Sequence, residues 1–127
     1  MIVVGVGCRA GCEAHEIVLL VERLLKECDK KAGDVAMLAT SWRKADEKGI
    51  TEAAKMLNLP LVLVIQPALE AVNDAALARS ELVQKIFNIP SVSETSALAM
   101  AGDGAKLLCP RMVTPMVVCA VAESELA

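Results

Sequence analysis

Apolar positions along this chain follow two patterns that alternate. Short, nearly continuous apolar runs occur at residues 2–6, 35–40 and 61–65, and each predicts a buried strand. Between them, apolar residues recur at three- and four-residue spacing. Ile17, Val18, Leu20, Val21, Leu24, Leu25 and Cys28 form one helical face, with Glu13, Glu16, Glu22, Lys26 and Glu27 as its polar complement. Glu13 and Glu16 suit the start of that helix and Lys30 and Lys31 its end, with Gly33 as the expected stop. Ile50, Ala53, Ala54 and Leu57 give a second helix after a charged loop at 41–49, and Asn58 and Pro60 end it. Strands that are apolar throughout belong to a parallel sheet covered on both faces.

Beyond Gln66 the pattern shortens. Residues 67–72 predict a short helix with proline in its first turn, and 80–87 another, broken at Asn88-Ile89-Pro90. Ser91-Val92-Ser93-Glu94 has the form of a capping box, opening a helix that Gly102 ends. Residues 106–109 and 116–122 predict two closing strands, joined by a connection too short for a crossover helix and therefore antiparallel. The expected fold is one α/β domain over residues 1–127, a three-layer α/β/α sandwich with a mixed sheet of about five strands.

Composition narrows the possible functions. Of 127 residues 55% are hydrophobic, yet only Trp42 and Phe87 are aromatic, so the core is aliphatic and base stacking is not expected. A net charge of −3 argues against a nucleic-acid partner. The longest apolar stretches, 59–65 and 113–122, are interrupted by Pro60 and Pro115 and fall short of the roughly 20 residues that span a bilayer. With no signal-peptide pattern at the start, the expectation is a cytoplasmic protein without membrane contact. Five cysteines at irregular spacing fit reduced thiols, with Cys28, Cys109 and Cys119 as core filler.

Candidate chemistry begins at the first glycine turn. Gly5-x-Gly7-x-x-Ala10, between a strand and a helix, matches the relaxed dinucleotide fingerprint. No carboxylate closes the second strand to hold a ribose. Ser41, Trp42, Arg43 and Lys44 stand there instead and suit only a 2′-phosphate, so a nucleotide-binding α/β domain is one alternative. A tight turn that merely starts a helix explains the same glycines. Cys8 and Cys12 flank this turn, where a helix amino terminus and Arg9 favour a lowered thiol pKa. His15 is the only histidine, so neither a metal site nor a hydrolase triad is expected, and no cofactor is implied. Lys44, Asp46 and Glu47 follow the second strand, at the end of an α/β sheet where ligands bind; a solvated loop is the plainer reading. Arg9, Arg43 and Lys44 concentrate positive charge there on an acidic protein, which favours a ligand bearing carboxylates or phosphates.

Five segments in order carry a family resemblance: Gly5-Val6-Gly7-Cys8-Arg9-Ala10-Gly11, Lys44-Ala45-Asp46-Glu47-x-Gly49, Leu59-Pro60-Leu61, Ile89-Pro90-Ser91-Val92-Ser93-Glu94 and Leu107-Leu108-Cys109-Pro110. Over nearly its whole length the chain resembles the cobalamin-biosynthesis family of CobE and the CbiG C-terminal domain. Arg111-Met112-Val113-Thr114 departs from the basic, glycine-containing loop that the family usually has there. The resemblance implies a role in vitamin B12 (corrin) biosynthesis, with a precorrin or cobalt-precorrin intermediate as ligand and other corrin-pathway enzymes as partners. It also implies an enzymatic alternative, since full-length CbiG-like proteins are associated with opening a ring lactone, on cobalt-precorrin-5A. In that alternative Glu47 or Glu94 is the general base and Lys44 the electrostatic stabiliser. The expected site lies at the carboxyl ends of the first two strands, formed by Gly7, Cys8, Arg9, Gly11, Lys44, Asp46 and Glu47, with Ser91 and Glu94 as a third wall.

Overall fold

The computed structural model describes residues 1–79 and 92–125. Its core is a six-stranded mixed sheet. β1 (Ile2–Cys8) lies at the centre, β2 (Met37–Ser41) and β3 (Leu61–Val64) extend it in parallel on one side, and β6 (Val117–Glu123) pairs antiparallel on the other. β4 (Lys106–Leu107) and β5 (Met112–Val113) share the far edge of β6, opposite Glu123–Ala122 and Cys119–Val118 respectively.

The apolar faces explain the layering. α1 (Ala14–Glu27) and α2 (Lys48–Met56), the two crossover helices, share one face of the sheet. Ile17, Leu24 and Leu25 from α1 and Ile50 from α2 are fully buried there against Val4, Val6, Leu38 and Val121. Each such side chain contributes about 1.5–3 kcal/mol of burial. Consecutive right-handed crossovers running the same way along a sheet put both helices on one side. α3 (Gln66–Arg79) and α4 (Val92–Ala101) cover the opposite face, where Leu69, Ala97 and Ala101 pack on Val3, Ala39 and Ala122. α4 rests directly on β1 because Gly5 has no side chain: a Cβ there would run into the Ser93 carbonyl. This is the expected three-layer sandwich.

Several boundaries differ from the sequence-based expectation. α1 ends before Lys30, and its stop is Asp29 rather than Gly33. Asp29 adopts φ +59°, and the Lys30 and Asp29 N–H groups donate to the carbonyls of Leu25 and Lys26 at 2.8 and 3.1 Å. That is a Schellman ending, with aspartate in the left-handed position. Asn58, at φ +58°, ends α2 in the same way. Residues 66–79 form one helix where the pattern predicted a short one over 67–72, because alanine sustains a helix without a strong apolar stripe. The first closing strand is two short pieces, β4 and β5, separated by Pro110, which lacks the N–H a ladder needs. The turn into β6 is accordingly at 114–116, held by the Thr114 N–H donating to the Val117 carbonyl at 2.7 Å.

Cys28 and Cys109 are not free thiols. They form a disulfide with a Cα–Cα separation of 6.3 Å, joining the end of α1 to the segment after β4. Eighty-one residues separate them in sequence, so only the folded sheet brings them together. Cys8, Cys12 and Cys119 are free. Among the described residues no helix is long and apolar enough to cross a membrane. The expected helix at 80–87, its break at 88–90, and Ser91 lie outside the described residues.

Candidate functional site

The carboxyl ends of β1, β2 and β3 and the amino end of β6 share one rim of the sheet, since β6 runs opposite to β1 and Val117 is paired with Cys8. Three turns meet at this rim. In the turn after β1 the Arg9 N–H donates to the Met116 carbonyl at 2.9 Å, and the Cys12 N–H returns to the Arg9 carbonyl at 3.2 Å. Gly11 closes that turn at φ +82°, in the region where glycine is at home. After β2 a single 3₁₀ turn, Trp42–Lys44, is capped by Ser41, whose Oγ accepts from the Arg43 N–H at 3.3 Å. In the β5–β6 turn Thr114 Oγ1 accepts from the N–H groups of Met116 and Val117 at 3.3 and 3.0 Å.

Between these turns lies a cleft of about 420 Å³. Gly7, Cys8, Arg9, Ser41, Arg43 and Lys44 form its polar side, and Val92 with the residues 113–118 form an apolar wall. Val92 and Val113 are 49% and 60% exposed, so the apolar rim faces outward. Among the described residues no carboxylate lies within ion-pair distance of Arg9, Arg43 or Lys44. The Arg43 guanidinium instead stands 5.3 Å from the centroid of the Trp42 ring.

The expected site residues divide between two places. Gly7, Cys8, Arg9 and Lys44 line this cleft. Gly11, Asp46 and Glu47 line a neighbouring one of about 630 Å³, between the amino ends of α1 and α2, together with Glu13 and Glu52. The two helix ends are close because Gly49 has no side chain: a Cβ there would collide with the Cys12 carbonyl. Arg9 and Lys44 thus face one cleft and Asp46 and Glu47 the other, which Lys48 also lines. Glu94 is in neither lining. It is buried near the start of α4, and its Oε1 accepts from Arg111 Nη1 at 3.0 Å. Ser91 is outside the described residues. The residues that sequence reasoning missed are Val92 and the β5–β6 turn, for which Thr114-Pro115 was the available turn signal; Ser41 was noted only for the nucleotide alternative.

The thiols also differ from expectation. Burial, then the Glu47 carboxylate, pushes the Cys8 thiol up, more than Lys44 and a hydrogen bond with Cys12 bring it down. Cys12 is pushed up to about 11, chiefly by burial and then by Cys8 and Glu16. Glu16 Oε2 is 3.8 Å from Cys12 Sγ. At neutral pH both are therefore protonated, and neither is the activated thiolate that the helix terminus suggested. Among the described residues no group of three or more histidine, cysteine or acidic side chains is arranged to hold a metal ion.

Chemically, the cleft offers three cations and an apolar wall. Such a surface suits a ligand with several negative groups around an apolar body.

Comparison with known proteins agrees with this architecture. The family described as cobalamin synthesis G C-terminus matches residues 2–122. Protein CobE of Sinorhizobium sp. is 30% identical over 121 residues, 95% of this chain and 79% of that protein. The crystal structure of cobalamin biosynthesis protein chiG from Agrobacterium tumefaciens is similar at 40% identity and a TM-score of 0.84, covering 98% of this chain and 99% of that one. The structure of CobE, a protein from the cobalamin (vitamin B12) biosynthetic pathway, is 28% identical with a TM-score of 0.80, over 96% and 92% of the two chains. The matched residues span all six strands but the last residue of β6, and on that basis the chain belongs to the cobalamin synthesis G C-terminus family.

Proposed function

We propose that this member of the cobalamin-biosynthesis family binds a polycarboxylated corrin intermediate in the cleft between the turns after β1 and β2 and the β5–β6 turn. The observation that carries the reading is the set of cations without carboxylate partners among the described residues, Arg9, Arg43 and Lys44, facing an apolar wall. A corrin intermediate combines a broad apolar ring with peripheral carboxylates, and each half has a counterpart in the cleft. The relatives support the pathway: CobE is described as belonging to cobalamin biosynthesis. In this reading the chain holds an intermediate and passes it to another enzyme of the pathway.

A second reading is catalytic, the opening of a ring lactone. It is favoured by the fact that Lys44 and Glu47 both act electrostatically on Cys8, although they line neighbouring clefts, which places both charges within electrostatic reach of one position. In this reading a lactone carbonyl bound near Cys8 would be polarised by Lys44, and Glu47 would activate water from the side of the neighbouring cleft.

Titrating the purified chain with cobyrinic acid, with NADP as the control for a nucleotide site, tests the first reading. Saturable corrin binding with no NADP binding is expected, and the reverse would overturn it. Incubation with a lactone-bearing precorrin tests the second. Release of a two-carbon aldehyde that disappears in Glu47→Gln would establish hydrolysis, and binding without release would leave the carrier role.

A further inference from the structure

We propose that Trp42 is a stacking platform that selects a flat, conjugated ligand at the border of this cleft, an inference that rests on the corrin-binding reading and specifies how the ring is recognised. Trp42 is the only tryptophan of the chain, which has no tyrosine and one phenylalanine. It is 44% exposed and stands outside the cleft lining, between Ser41 and Arg43, which both belong to it. An exposed indole on a mobile loop would carry little information. This one is held at two points. Its Nε1–H donates to Gln66 Oε1 at 3.2 Å, and Gln66 Nε2 in turn donates to Glu70 Oε1 at 3.2 Å, which ties the ring edge to the first turn of α3. The Arg43 guanidinium stands 5.3 Å from the ring centroid, and Arg43 also lines the cleft.

Arg43 therefore joins the aromatic surface to the anion-binding surface. A ligand carboxylate that draws Arg43 into the cleft leaves a ring face available to the ligand's own π-system. A held aromatic loses little freedom on stacking, and such contacts are tolerant of the detailed substitution of the ring they meet.

The test is the affinity for cobyrinic acid as a function of salt, in the wild type, Trp42→Ala, Trp42→Phe and Arg43→Ala, with folding checked by circular dichroism and association state by sedimentation. Stacking predicts that Trp42→Ala weakens binding about tenfold, that Trp42→Phe retains most of the affinity, and that both keep the wild-type slope of log Kd against log salt. Arg43→Ala is expected to lower that slope. Affinity within twofold of wild type in Trp42→Ala, with corrin binding intact, overturns this inference alone. A lowered salt slope in Trp42→Ala also overturns it, because Trp42 would then act only by placing Arg43. A change of association state in Trp42→Ala likewise overturns it and makes the ring a contact between protein chains. Absence of corrin binding in the wild type overturns both this inference and the reading beneath it.

Discussion

Arg9, Arg43 and Lys44 come from two turns and approach one cleft without a carboxylate partner among the described residues. Placing like charges together is unfavourable in the free protein, and a bound anion relieves it. Removal of Arg9 or Lys44 should therefore weaken corrin binding by about 1.5–3 kcal/mol each, the loss of a charge-assisted hydrogen bond, with little change in thermal stability. Calorimetric titration of each alanine variant measures this. Their meeting was legible in the sequence, since both turns follow parallel strands and such loops emerge on one rim. The partition of the acidic residues was not, because Asp46 and Glu47 turn toward α1 only once Gly49 lets α2 pack on the Cys12 carbonyl. The thiols teach the same lesson. Position at a helix start suggested activation, but burial dominates, a quantity the sequence does not display. Iodoacetamide should label Cys8 and Cys12 slowly at pH 7–8. Because folding raises the Cys12 pKa from its ordinary 9.0 to about 11, the folded state holds that proton more tightly. Its contribution to stability is then fully present below pH 9 and lost as pH rises toward 11, which urea melts across that range would register.

At the scale of elements, the two crossover helices end without glycine. Asp29 and Asn58 take left-handed backbone angles that cost an L-residue with a side chain about 1–2 kcal/mol, less for these two types. Asp29→Gly should therefore leave stability equal or raise it by about 0.5 kcal/mol, after the entropy glycine itself loses on folding. Gly33 was the stop the composition suggested, and the correct one was hidden because aspartate is common in many other settings. Gly5 and Gly49 behave oppositely. Each admits a backbone carbonyl, Ser93 or Cys12, into the space of a side chain. Gly5→Ala should destabilise the fold by about 2–3 kcal/mol by lifting α4 from β1, measured by chemical denaturation. Strands β1, β2 and β3 and helices α1 and α2 were readable because their apolar periods are strong. α3 was underestimated because its alanines leave little contrast between faces. β4 and β5 were blurred because two residues are too few to show an alternation.

For the molecule as a whole, the central strand β1 is the reference for everything else: α1 follows it, β6 pairs with it, α4 lies on it, and the cleft opens where it ends. The Cys28–Cys109 disulfide ties the end of α1 to the far sheet edge across 81 residues. No local pattern marks that pairing, so the cysteines read as filler until the fold joined them. Closing a loop of that size stabilises by about 4–5 kcal/mol in the chain-entropy limit. Reduction with dithiothreitol, or Cys28→Ser, should accordingly lower the melting temperature by about 15 °C in that limit, as calorimetry would show. The central claim, an anion cleft built for a corrin polycarboxylate, is tested most directly by titrating cobyrinic acid into the wild type and the Arg9→Ala/Lys44→Ala double variant at low and high salt. Saturable binding to the wild type that weakens with salt is expected, with a loss of about 3 kcal/mol or more in the folded double variant. Equal affinity in the two proteins would contradict it.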